Sequence, residues 1–92
     1  MTEAEIQKMI DEINDKFVEA RDEIEFAQED AETTYFNESC EAAREITQEA
    51  LDMFNALLSR LDDDERGKLQ RSMGMKMEQL KAELEQLETM HD

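Results

Sequence analysis

The sequence predicts an all-α fold, a small antiparallel three-helix bundle with coiled-coil-like heptad packing, and three observations carry that prediction. Apolar residues recur in alternating steps of four and three along most of the chain. There is no proline and there are only two glycines, which removes most of the turn chemistry an all-β chain requires. The remaining positions are rich in Glu, Gln, Lys and Ala, all strong helix formers.

The first helix is expected over residues 3–32. Thr2 followed by Glu5 is a capping-box pattern, with Thr at the N-cap and Glu at the third helical position. From there Ile6, Ile10, Ile13, Phe17, Ala20, Ile24, Ala27 and Ala31 mark one narrow stripe. The frame slips by five residues between Ala31 and Phe36, which no unbroken heptad contains. The intervening Thr33, Thr34 and Tyr35 are weak helix formers, so a boundary is expected near residues 32–37. One long, locally distorted helix is the alternative, since neither Pro nor Gly enforces a stop.

The second helix, residues 37–60, carries a stripe of its own from Phe36 through Cys40, Ala43, Thr47, Ala50, Phe54 and Leu57 to Leu61. Asp62-Asp63-Asp64-Glu65 then supplies an N-cap and acids suited to the positive end of a helix dipole. The third helix, residues 63–90, buries Leu69, Met73, Met77, Leu80, Leu84 and Leu87, with His91 closing the last heptad. It is expected to extend past its neighbours and pair with another chain. Gly67 and Gly74 each cost about 1 kcal/mol relative to Ala, which a close helix crossing would explain. The 92 residues make a single helical domain.

Charge bounds the function. Twenty-six acids against ten bases give a net charge of −16. That excludes nucleic acid, which demands a basic face, and anionic membrane surfaces. No apolar stretch is long enough to span a bilayer, and residues 1–5 resemble neither a signal nor a transit peptide. One cysteine allows no internal disulfide, which fits a reducing compartment, so cytoplasm or nucleus is the expected address. Residues 1–36 hold 12 acids and 3 bases, and like charges follow each other at i,i+4 in Asp11, Asp15, Glu19 and Glu23. The most economical internal use of Arg66, Lys68 and Arg71 is to lie beside this acidic helix.

Residues that could carry chemistry have simpler readings. His91 is the only histidine, at the chain's end, where nothing fixes it for a catalytic arrangement. Glu88 and His91 spell the Glu-x-x-His pair of di-iron bundles, which would need a second pair and two more glutamates. Met73, Met75 and Met77 suggest a soft metal, but two of them occupy core positions. Asp62 to Met73 fails as a calcium loop, because Met73 stands where a bidentate Glu belongs. Cys40 falls on a core stripe and reads as a small packing residue.

Val18 and Phe26 lie off the first helix's seam, among Asp22, Glu25 and Glu29. The preferred reading is a core wider than the heptad implies. The alternative is an apolar spot on an acidic face, able to anchor a basic partner. The function expected is a non-enzymatic protein–protein interaction module, a scaffold or assembly subunit, with no cofactor, in a homo- or hetero-oligomer. A basic protein partner would be recognised by Asp11, Asp15, Glu19, Asp22 and Phe26, and helix docking would use Met77, Leu80, Leu84 and Leu87. Two further readings are an acidic chaperone shielding a basic client, and a metal-binding helical protein using Glu88 and His91.

Overall fold

The computed structural model describes residues 1–90. Its three helices are α1 (Glu3–Glu29), α2 (Phe36–Arg60) and α3 (Asp63–Thr89). A 27-residue helix is about 40 Å long at 1.5 Å per residue, and the body measures 47 × 18 × 15 Å, so all three run nearly its full length. Side-chain contacts fix their directions. Met9 meets Arg60, Lys16 meets Glu49 and Asp30 meets Ser39, so α1 and α2 are antiparallel. Asn14 meets Lys76 and Arg21 meets Glu83 at one constant offset, so α1 and α3 are parallel.

Helix α1 starts as its sequence dictates. The Thr2 amide donates to the Glu5 carboxylate at 2.8 Å, and the Glu5 amide donates to the Thr2 hydroxyl at 3.1 Å. The hydrogen bond from the Thr2 amide, followed by that from its hydroxyl, holds the Glu5 carboxyl below the usual range. The helix ends at Glu29, three residues before the expected boundary at residue 32. Thr33 donates its hydroxyl to the Asp30 carbonyl at 2.6 Å, and that hydroxyl accepts the Tyr35 amide, a local alternative to helical bonding. Glu32 turns the chain with φ at 73°, a left-handed conformation that side-chain-bearing residues adopt at a cost. The chain breaks here without glycine or proline, and the continuous-helix alternative is excluded.

The α2–α3 corner is tighter. Asp62 is the N-cap of α3 and accepts the Glu65 amide at 2.8 Å. Arg66 reaches back across the corner, its Nε on the Leu58 carbonyl at 3.0 Å and its Nη2 on the Leu61 carbonyl at 2.7 Å. The guanidinium thus supplies a donor to the Leu61 carbonyl and a second one to the Leu58 carbonyl, which also accepts the Leu61 amide at 3.3 Å. It also pairs with Asp63 at 2.8 Å. Arg66 therefore caps α2 and does not lie against α1, because a helix end facing the core needs donors more than an exposed acidic ridge needs a counter-charge.

All eight stripe positions of α2, from Phe36 to Leu61, are buried. They form the core with Ile13, Ala20, Ile24 and Ala27 of α1 and the α3 residues Leu69, Met73, Met77, Leu80, Leu84 and Leu87. Ile6, Ile10 and Phe17 pack at its margin. Thr47 is fully buried, and its hydroxyl finds no hydrogen-bond partner among the described residues. An unsatisfied buried hydroxyl costs about 1–3 kcal/mol. Thr47→Val keeps the branched shape and removes the polar atom. It is expected to stabilise the fold by about 1 kcal/mol, raising Tm by about 5 °C in a scanning-calorimetry comparison; a lower Tm would show that the hydroxyl is satisfied in solution.

Candidate protein-docking face

The residues of α1 that turn away from the core form one continuous acidic face. Asp11, Asp15, Glu19, Asp22, Glu25 and Glu29 are all exposed on it, brought together by helical spacing. Little inside the chain compensates them. Asp11 accepts a hydrogen bond from Gln7 at 2.9 Å, and Glu19 lies 3.7 Å from Lys16. Lys16 is turned mainly toward α2, where Glu49 sits 3.0 Å away. That hydrogen bond and the Glu49 charge push the Lys16 ammonium above its usual range. Asp15, Asp22, Glu25 and Glu29 make no ion pair among the described residues.

On this face stand two large apolar side chains. Val18 and Phe26 are each 57% exposed. The expectation of a wider core is thus overturned: α2 and α3 cover only the heptad side of α1, and Val18 and Phe26 project from the opposite side. Val18, Asp22 and Phe26 follow one another at i,i+4 spacing, so a carboxylate separates two apolar knobs. Beside Val18 a shallow cleft of about 450 Å³ runs along the α1–α3 boundary. Its walls include Phe17, Arg21 and Glu83, and the last two face each other at 3.7 Å.

The third-helix residues behave differently. Met77, Leu80, Leu84 and Leu87 are buried in the chain's own core. Leu80, Leu84 and Leu87 are inaccessible to a partner while the bundle is folded, because α3 packs against both other helices along its length, and Met77 reaches the surface only at the floor of a groove between α2 and α3. Nor does α3 project beyond them, since Leu87, two residues before its end, is fully buried. The glycine expectation also fails. A Cβ at Gly74 would meet nothing within 4 Å, and one at Gly67 would meet only the Arg71 side chain. Neither glycine lies at a close helix crossing within the chain.

The Glu88–His91 pairing lies outside the described residues because of His91. Glu88 itself accepts from Arg44 at 3.1 and 3.3 Å, tying α3 to α2. Among the described residues no group of three or more His, Cys, Asp or Glu is placed to hold a metal ion. Met73 and Met77 are core residues. Cys40 is buried, and burial pushes its thiol above the usual range, away from the reactive thiolate. No helix among the described residues is long and apolar enough to cross a membrane.

Two features had no clear signal in the sequence. Lys76, on the α1 side of α3, donates to the Asn14 side chain at 2.5 Å and lies 4.6 Å from the Phe17 ring centroid. The cation thus joins the two parallel helices through a hydrogen bond and the ring's electrostatic face. The second feature is a groove of about 700 Å³ between α2 and α3, lined in part by Gly74 and Met75. An unexplained glycine in mid-helix was the one sequence hint of it.

No solved structure matches the chain. An embryogenesis-like protein of Arabidopsis thaliana is 57% identical over 83 residues, which make up 90% of this chain and 47% of that protein. The chain thus spans about half the length of the curated relative it matches. Neither that name nor the family description specifies an enzymatic activity. The family model for the embryogenesis-like protein helical domain matches residues 7–89, the body of all three helices. The chain belongs to the embryogenesis-like protein helical domain family.

Proposed function

We propose that this helical domain is a non-enzymatic protein-interaction module, and that the outward face of α1 docks a basic, amphipathic segment of a partner protein. The observation that carries the reading is the exposure of Val18 and Phe26 amid four acids that make no ion pair among the described residues. Apolar anchors supply affinity when a partner covers them, and the surrounding carboxylates select a basic partner and speed the encounter. A face made only of solvated acids would solubilise the bundle without needing a phenylalanine at 57% exposure.

The test is a paired capture from a lysate of the protein's source, with the wild type and the Val18→Asp/Phe26→Asp variant as baits. Both positions are exposed, so the variant is expected to keep its helical circular dichroism. A small set of proteins bearing basic segments should remain on the wild type through a high-salt wash and be absent from the variant. Losing an anchor worth about 2 kcal/mol weakens binding about 30-fold. Equal recovery on both baits contradicts the reading. Recovery of many basic proteins that salt removes from both baits supports an acidic chaperone instead, since exposed charges alone are screened.

A further inference from the structure

The groove between α2 and α3 is a second surface, independent of the acidic face. Its apolar lining is Leu51, Phe54, Leu58 and Met77, of which Leu51 and Leu58 remain partly exposed. Gly74 lies along it, and the space that a Cβ would occupy there is open. Glycine in mid-helix is costly, and no neighbour within the chain uses the missing side chain. Next to it Met75 is 87% exposed, the most exposed large apolar side chain among the described residues. A hollow and a protruding apolar side chain thus occupy one patch.

We propose that this patch is a self-association surface that takes a second copy of the chain, with Met75 of each copy seated in the α2–α3 groove of the other. A two-fold contact requires one surface to be complementary to itself, and a patch carrying both knob and hollow meets that requirement. Methionine suits such a contact because its flexible thioether adapts to an irregular hollow. Charge selects the same place. Two chains of net charge −16 repel each other, so they associate where acids are fewest. The groove lining has one acid, Glu78, and one base, Lys81, whereas acids outnumber bases in three other clefts among the described residues.

Sedimentation equilibrium of the whole chain, from low micromolar to near-millimolar concentration, tests this. The expected result is a reversible monomer–dimer equilibrium that strengthens with added salt, as repulsion between the two acidic chains is screened. Met75→Glu should weaken it about 30-fold by losing an anchor of about 2 kcal/mol. Gly74→Leu, which fills the hollow, should weaken it to a similar extent. The Cβ of Gly74→Leu meets nothing within 4 Å and leucine replaces a poor helix former, so circular dichroism should show the monomer folded. Val18→Ser/Phe26→Ser, which removes the α1 knobs without adding charge, should leave the dimer unchanged, which separates this surface from the α1 face. A wild type that stays monomeric throughout overturns the proposal, as does a dimer indifferent to both groove substitutions.

Discussion

Leu80→Asp is expected to abolish the folded state. Leu80 is fully buried at the centre of α3's core stripe, one of the largest side chains with no exposure. Truncating such a residue to Ala costs about 2–5 kcal/mol. Asp adds the cost of placing a carboxylate among apolar neighbours with no base to pair it. Domains of this size are stable by about 5–15 kcal/mol, and a small core places this chain toward the low end. The variant should lose most of its helical circular dichroism at 25 °C and show no cooperative melting transition. Gln79→Asp next to it, at an exposed position, is the control and should change stability by no more than about 0.5 kcal/mol. A soluble, cooperatively melting Leu80→Asp protein would remove Leu80 from the core.

Arg66→Ala should give the next largest loss without unfolding the chain. Its guanidinium bonds the carbonyls of Leu58 and Leu61, and so fastens the end of α2 to the first turn of α3. Hydrogen bonds from a charged donor are worth about 1.5–3 kcal/mol each, and solvent reaching the corner recovers part of that. We expect a net loss of about 2 kcal/mol, or about 10 °C in Tm. Arg66→Lys should restore little, because one ammonium does not reproduce the fork that reaches two carbonyls at once. Asp63→Ala tests the other side of the same residue. Asp63 is 99% exposed, so its pair with Arg66 contributes well under 1 kcal/mol and its loss should scarcely move Tm. Equal effects of Arg66→Ala and Asp63→Ala would assign the corner's stability to the ion pair.

What the sequence made legible follows from which forces are local. Periodicity fixes which side chains of a helix share a face. Every stripe position of α2, and the α3 stripe from Leu69 to Leu87, accordingly lies in the core. The α3 start was legible because Asp62 is a side-chain cap acting on its own first turn. The end of α1 was less so. The weak helix formers from Thr33 to Tyr35 placed the break near residue 32, but the left-handed turn at Glu32, a residue type that rarely adopts it, had no local signal.

Features set by tertiary placement were hidden. Whether Val18 and Phe26 are covered depends on how far two neighbouring helices wrap around α1, and a heptad pattern does not contain that. The same holds for Arg66, whose choice between α1 and the α2 terminus is decided by a corner only two residues long. Met77, Leu80, Leu84 and Leu87 were read correctly as a seam and assigned to the wrong contact. An apolar stripe is the same whether its partner is in the same chain or another. The candidate face was therefore partly visible: its acids and Phe26 could be named as candidates, and only the fold decided that Val18 and Phe26 are exposed.

The most direct test of that face is a two-dimensional amide NMR titration of the labelled chain with a synthetic basic amphipathic helix, Lys on one face and Leu on the other. Saturable shifts are expected on the outward residues of α1 from Asp15 to Glu29, with Val18 and Phe26 among the largest. Weak shifts spread over acids of all three helices, or saturable shifts confined to the α2–α3 groove, would contradict docking at the α1 face.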